Sequence, residues 1–383
     1  MGGGLQRFSR EKTMDGKLTR YLQQFLERYQ DYKPYWNYED GCVLVGCQRL
    51  YEAGAGAQFA SWVRNYLNRR VDEQGQIPTF ETQQYNIDSY NSGKALFLPY
   101  RESGVARWMN AINYHMRRIS EHPRCDNGSF WHKSIYPHQI WLDGLYMALP
   151  FYLEYDMVLG GRQHVQDIMK QFENVRKLMY SDEKQLSYHA CDTSKQMFWA
   201  DKQTGCSPNF WLRSMGWYLM ALVDCAQIMD EMLYEHKRRL MDLLEETAKG
   251  ILRYRNEEGL FYQVIDRADV EGNYSETSGS AMVAYAMMKG ARIKALNEEF
   301  GRVGRDVFNI LADTRITEED GQLRLQGICH VAGLGGEGKR DGSVAYYLSE
   351  PIVSDDAKGV GPFMMACAEA YLQDNPKPLR EVP

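Results

Sequence analysis

Six segments of this chain are apolar on nearly every side, and each carries a glycine near its start. They are EDGCVLVGCQRLYEA from Glu39, DSYNSGKALFLPY from Asp88, WLDGLYMALPFYLEY from Trp141, WLRSMGWYLMALVDCA from Trp211, ETSGSAMVAYAMMKGA from Glu276 and DDAKGVGPFMMACAEAYL from Asp355. Their glycines are Gly41, Gly93, Gly144, Gly216, Gly279 and Gly361. A helix apolar all round is buried all round. Amphipathic stretches alternate with these. In LTRYLQQFLERY, residues Leu18, Tyr21, Leu22, Phe25, Leu26 and Tyr29 share one helical face. Phe59 to Leu67, Val105 to Ile119, His164 to Met179 and Leu240 to Tyr254 read the same way. Buried rods alternating with half-buried ones imply an inner ring wrapped by an outer one.

A turn signal recurs in step, as an acidic residue, Gly and then alternating aromatic or apolar residues. It occurs in DEQGQIPTF at Asp72, CDNGSFWHK at Cys125, NEEGLFYQVID at Asn256 and EDGQLRLQ at Glu319, with a Gly-less relative, SDEKQLSYHA, at Ser181. These read as small hairpins or extended loops between an outer helix and the next inner one. Units that repeat in element order argue for stacked helix pairs. Six pairs fit the length with little left over, so the expected fold is all-α, an (α/α)6 toroid with short extended loops at the pocket mouth; an open array of the same hairpins is the alternative. The expected organisation is a disordered leader over 1–17, a single catalytic domain over 18–375 and a C-terminal tail over 376–383.

With a formal charge of −6 and no basic run, the chain is not expected to bind nucleic acid. No apolar stretch is long enough for a membrane span. Met1 to Lys17 has no apolar core of a secretion signal. The eight cysteines form no C-x-x-C pair, and several lie in apolar helical stretches, as small hydrophobes do. A reducing cytoplasm is the expected location, with no cofactor, no metal and a monomer or weak homodimer.

Closing the ring gathers the starts of the inner helices at one mouth. Asp40, Asp88, Asn91, Asp143, Arg213, Thr277, Ser278 and Lys358 lie there, polar residues in otherwise apolar segments. Capping accounts for a single Asp as well as catalysis does; several polar groups converging with rings shift the balance. The densest stretch is SFWHKSIYPHQIWLDGLYM from Ser129, with Trp131, Tyr136 and Trp141 as rings and His132, Lys133 and His138 as donors. Asp143 among such rings loses solvent, which raises its pKa toward that of a general acid, and a nearby Asp88 carboxylate raises it further. In NFWLRSMGWY, Trp211, Arg213 and Trp217 place two indoles beside a guanidinium able to fork onto a sugar carboxylate. His189 follows its loop as His132 follows its own.

The chain has no nucleophile elbow, Walker loop, H-E-x-x-H or dinucleotide fingerprint. The Gly-rich GLGGEGKRDGS at Gly333 reads as a flexible loop near the mouth.

WHKSIYPHQIWLDGLYM, GCSPNFWLRSMGWY, YHACD, NIDSYNSG and ETSGSAMVAYAM resemble the signature stretches of glycoside hydrolase family 105, the unsaturated rhamnogalacturonyl hydrolases. The resemblance runs in order from about Leu18 to Tyr371. It implies an oligosaccharide substrate ending in a uronic acid with a C4=C5 double bond, as polysaccharide lyases leave it in pectin degradation. In that chemistry an Asp protonates C4, water adds at C5, and the resulting hemiketal opens and frees the neighbouring sugar. By resemblance Asp143 is the catalytic acid and then base, and Asp88 assists it. His132, Lys133, Trp141, His189, Trp211, Arg213 and Trp217 would bind the sugar and its carboxylate. The alternatives are an unsaturated glucuronyl hydrolase acting on glycosaminoglycan or other uronyl fragments, or a non-catalytic sugar-binding toroid.

Overall fold

The computed structural model describes residues 14–81, 83–338 and 340–377. In chain order the helices are α1 (Gly16–Arg28), α2 (Tyr38–Ala53), α3 (Ala57–Arg70), a 3-10 segment (Ile87–Leu96) that runs into α4 (Phe97–Ser103), α5 (Ala106–Ser120), α6 (Leu142–Val158) and α7 (Val165–Met179). They continue as α8 (Leu212–Ile228), α9 (Tyr234–Leu252), α10 (Thr277–Arg292), α11 (Glu298–Thr314), the short α12 (Val344–Ser349) and α13 (Ala357–Asp374).

The inner ring is α2, the 3-10 segment with α4, α6, α8, α10 and α13. Each packs on the next, and α13 packs back on α2. That last contact closes the annulus: a Cβ on Gly361 would stand 2.4 Å from the Cys42 carbonyl oxygen, so the two backbones meet directly. The outer ring is α1, α3, α5, α7, α9 and α11. The fold is an (α/α)6 toroid, and the open array is excluded.

The outer helices bury one stripe each, as Tyr21, Leu22 and Phe25 do in α1, while α8 buries every residue from Leu212 to Ala226. Helix α11 is an outer helix that the sequence reading leaves unassigned; its Phe300, Val307, Phe308 and Leu311 are buried. The inner segment at Asp88, expected as an ordinary helix, winds as a 3-10 turn over its first ten residues. Asn91 and Ser92 donate there to the carbonyls of Tyr38 and Asn37, clamping it against α2.

The range expected as a leader, 1–17, overlaps the start of α1. Asp15 accepts from the backbone N–H groups of Lys17 and Leu18 and starts α1 at Gly16; residues 1–13, and 378–383 of the expected tail, lie outside the described residues. Among the described residues no helix is long and apolar enough to cross a membrane. All eight cysteines are free and buried.

The acidic-Gly turns form tight hairpins. Gly75, Gly128, Gly259 and Gly321 take φ of 81°, 86°, 78° and 75°, a conformation glycine adopts freely. In the Gly-less fifth turn Gln185 takes φ 56°, so the same turn is built there on a strained residue. The far end of the ring is closed by polar groups. Lys289 and Asp224 pair at 2.7 Å, both 1% exposed, and the Tyr285 hydroxyl donates to the same carboxylate at 2.6 Å.

Candidate active site

One connection recurs around the mouth. The first N–H of an inner helix donates to a carbonyl just past the next repeat's hairpin: Ile87 to His132 at 3.1 Å, Leu142 to His189 at 3.1 Å, Leu212 to Gln263 at 3.0 Å and Thr277 to Gly327 at 2.9 Å. His132, His189 and Gln263 therefore occupy equivalent places. The two histidines stand beside the second residue of the helix whose first N–H they receive, and that second residue is polar in all six inner segments: Glu39, Asp88, Asp143, Arg213, Ser278 and Lys358.

The two histidines meet the two aspartates in the same way. His132 Nε2 lies 3.7 Å from Asp88 Oδ2, and His189 Nε2 lies 3.6 Å from Asp143 Oδ2. The next residue breaks the symmetry. Lys133 places its ammonium 3.0 Å from Asp88, whereas Ala190 follows His189.

Burial opposes ionisation of both carboxyls. At Asp88 that effect is outweighed by the charge of Lys133 and by its hydrogen bond, which hold it below the ordinary carboxylate range. At Asp143 burial, reinforced by the Asp88 charge, pushes the pKa up to about 7. Asp143 Oδ2 has no hydrogen-bond partner among the described residues. Burial also drops His132 to about 3 and His189 well below its ordinary value, so both imidazoles are neutral at pH 7.

Aromatic rings wall this cluster. Trp141 and Trp211 sit at the N-caps of α6 and α8, and their indole N–H groups donate to Gln139 at 3.0 Å and Gln263 at 3.1 Å. The His132 ring stacks on Trp141 at 4.2 Å, and Tyr136 stacks on the same indole at 5.2 Å. His189 lies between the two tryptophans, edge-on to Trp141 at 5.2 Å and tilted against Trp211 at 4.8 Å.

The structure thus brings Asp88, His132, Lys133, Trp141, Asp143, His189 and Trp211 together. Arg213 lies at the same mouth, 4.8 Å from the Trp211 ring, but its guanidinium donates to the carbonyls of Cys329 and His330 and to Ser278. It ties down the 328–330 segment and lends its charge to the pocket; a free fork was expected. Trp217 departs from expectation. It lies one turn deeper on α8, 2% exposed and stacked on Tyr146 at 5.0 Å in the core. It comes four positions after Arg213, and a full helical turn carries it down the barrel axis.

Other polar residues of the mouth do structural work. Asp40 accepts from the hydroxyls of Tyr29 and Tyr66, the Asn37 amide and the Tyr32 N–H. Lys358 pairs with Asp356, which offsets a cation at a helix N-terminus.

The sequence reading did not find Tyr347, Arg340, His330 and Lys33. Tyr347, on α12, donates or accepts at 2.7 Å with His189 Nδ1 and stacks on Trp211. Arg340 comes from the Gly-rich segment after Gly333, whose described residues pack on the mouth, and it donates to the Tyr136 hydroxyl at 2.9 Å. The glycines around Arg340 were the only local signal. His330 pairs with Asp356 at 3.2 Å, and Lys33 with Glu39 at 2.7 Å beside the rings of Tyr32, Tyr35 and Tyr38.

An acid with a raised pKa, a fixed neighbouring anion and indole walls suit proton delivery to a sugar. The family described as Glycosyl Hydrolase Family 88 matches residues 13–373. The solved structure of a family 105 glycoside hydrolase from C. acetobutylicum ATCC 824 is 37% identical with a TM-score of 0.88, covering 92% of this chain and 98% of that one. The unsaturated rhamnogalacturonyl hydrolase YesR of Bacillus subtilis is 22% identical over 307 residues, 76% of this chain and 84% of that protein. The unsaturated glucuronyl hydrolase of Bacillus sp. GL1 shares the fold, with a TM-score of 0.66 at 14% identity over 92% of this chain and 95% of that one.

Proposed function

The chain belongs to glycosyl hydrolase family 88, and we propose that it releases a 4,5-unsaturated galacturonyl residue from lyase-generated rhamnogalacturonan oligosaccharides. The observation that carries the reading is the division between the two carboxyls: Asp143, with a pKa near 7, beside an Asp88 kept ionised by Lys133. An acid protonated near neutrality can give its proton to C4 of the double bond. Positive charge then develops at C5 and the ring oxygen, where the fixed Asp88 carboxylate favours it. Water adds at C5, with Asp143, now a carboxylate, as its base. The hemiketal opens and the neighbouring sugar leaves. No displacement at the anomeric carbon occurs, so the spacing rule for two carboxylates in ordinary glycosidases does not apply.

In this reading Trp141 and Trp211 form the walls that orient the unsaturated sugar, and His132 and His189 stand as neutral donors. Lys133, with a side chain 24% exposed, and the Arg213 charge answer the substrate carboxylate. Trp217 supports the pocket from below through Tyr146. Support for a galacturonyl substrate comes from the relative named as an unsaturated rhamnogalacturonyl hydrolase. The test is kcat/KM on unsaturated galacturonyl-rhamnose against unsaturated glucuronyl disaccharides made from glycosaminoglycans. Preference for the first by at least tenfold is expected; the reverse preference assigns the glucuronyl reaction instead.

A further inference from the structure

We propose that Tyr347 is a positioning residue that holds His189 as the tautomer protonated on Nε2, so that an N–H faces the Asp143 carboxyl. The inference rests on the reading of Asp143 as the acid. The Tyr347 side chain is wholly buried, and its hydroxyl meets one partner among the described residues, His189 Nδ1 at 2.7 Å. A buried hydroxyl proton goes to the acceptor within reach, and here that is the imidazole nitrogen. If Nδ1 carried the proton instead, the tyrosine O–H would be left buried without an acceptor. With Nδ1 accepting, the single proton of a neutral imidazole lies on Nε2. That nitrogen is the one 3.6 Å from Asp143 Oδ2, and neither atom has a hydrogen-bond partner among the described residues.

The consequence is specific to the proton transfer. While Asp143 is protonated, the His189 N–H makes a long contact. When the proton passes to the substrate, a carboxylate forms opposite a donor already aimed at it, and no buried cation is created. His189 gives up no proton. The other tautomer would present a bare Nε2, which would accept a hydrogen bond from the protonated Asp143 and hold its proton back.

Tyr347 reaches this place because Gln263 Nε2 donates to its carbonyl and Trp211 stacks on its ring. The charged and titratable groups facing the pair are Asp88 from the 3-10 segment, His132 and Lys133 from the loop that follows α5, Arg213 from α8 and Arg340 from the segment before α12. All of them remain in a Tyr347→Phe variant, which removes one oxygen.

Nitrogen-15 NMR of histidine-labelled full-length protein, with His189→Gln used to assign the signal, reads the tautomer without substrate. Protonated Nε2 and bare Nδ1 are expected in the wild type; protonated Nδ1 overturns the proposal. In Tyr347→Phe the signals should shift toward the other tautomer and the alkaline limb of kcat/KM should move to higher pH. The value of kcat should fall roughly tenfold, with KM within about twofold because His189 remains in place. A variant that keeps both the wild-type tautomer and the wild-type limb overturns it. The tautomer measurement stands apart from the substrate assignment, since an enzyme inactive on every unsaturated uronide would still report it.

Discussion

Lys133 and Ala190 occupy equivalent positions in consecutive repeats, each directly after the histidine whose carbonyl receives the first N–H of an inner helix. His132 and His189 approach Asp88 and Asp143 at nearly the same distance. A lysine in one repeat and an alanine in the next therefore separate two carboxyls that each face a buried histidine at nearly the same distance. One is an anion at neutral pH, and the other holds a proton up to about pH 7.

Replacing Lys133 with Met removes that difference. Burial then acts on Asp88 without its principal counter-charge, so its pKa rises. If ionised Asp88 is required, the acid limb of kcat/KM moves to higher pH, and the loss against wild type is greater at pH 5 than at pH 7. A pH profile of Lys133→Met checks this; an unmoved acid limb would mean that the ionisation of Asp88 is not needed.

Asp143 also leaves a mark on stability. Its folded pKa of about 7 lies above the ordinary carboxylate value. Between those values the folded state holds a proton that the unfolded chain has released, so stability falls as pH rises through this window and levels off above about 7. Asp143→Asn removes the dependence. It should be more stable than wild type at pH 8 by on the order of 2–4 kcal/mol, with a smaller difference at pH 4. Urea unfolding at the two pH values measures it, and a constant difference would contradict the raised pKa.

Trp217 belongs to the core in this account. Trp217→Ala should cost about 3–5 kcal/mol in unfolding free energy, the range for a large aromatic removed from a packed interior. Trp217→Phe should keep most of the stability and leave KM within about twofold. A many-fold rise in KM for a stable Trp217→Phe would return this residue to the sugar-binding surface.

The closed end of the ring offers a test of charge burial. Lys289→Met strands Asp224, still hydrogen-bonded to Tyr285, and should destabilise by about 3–5 kcal/mol. Adding Asp224→Leu to that variant should recover much of the loss, because the uncompensated charge is gone. Thermal melts of the single and double variants decide it. A double variant no more stable than the single one would show that packing, rather than the ion pair, dominates there.

The ring was legible because full and half burial write different patterns, and six all-round apolar segments can be satisfied only by enclosing one another. The site was legible where its chemistry is local, as in the run from Trp131 to Asp143. The glycines were less exact guides to the helix starts. Gly144 follows Asp143 directly, whereas Gly93 comes five residues after Asp88; each answers a different neighbour, Ile87 for Gly144 and His115 for Gly93. Alignment on helix starts instead reveals the polar second residue common to all six. Trp217 was misplaced because a sequence window shows proximity along the helix but not depth in the barrel. Tyr347 could not be found at all, since its bond to His189 spans 158 residues.

The decisive measurement follows the alkene absorbance of a lyase-made unsaturated galacturonyl-rhamnose disaccharide while free rhamnose is quantified in the same reaction. Wild-type protein should lose one double bond for each rhamnose released, and Asp143→Asn should slow both together by about 10²–10⁴-fold. Rhamnose released with the absorbance intact would mean ordinary cleavage at the anomeric carbon, and an Asp143→Asn variant as fast as wild type would remove Asp143 from the chemistry.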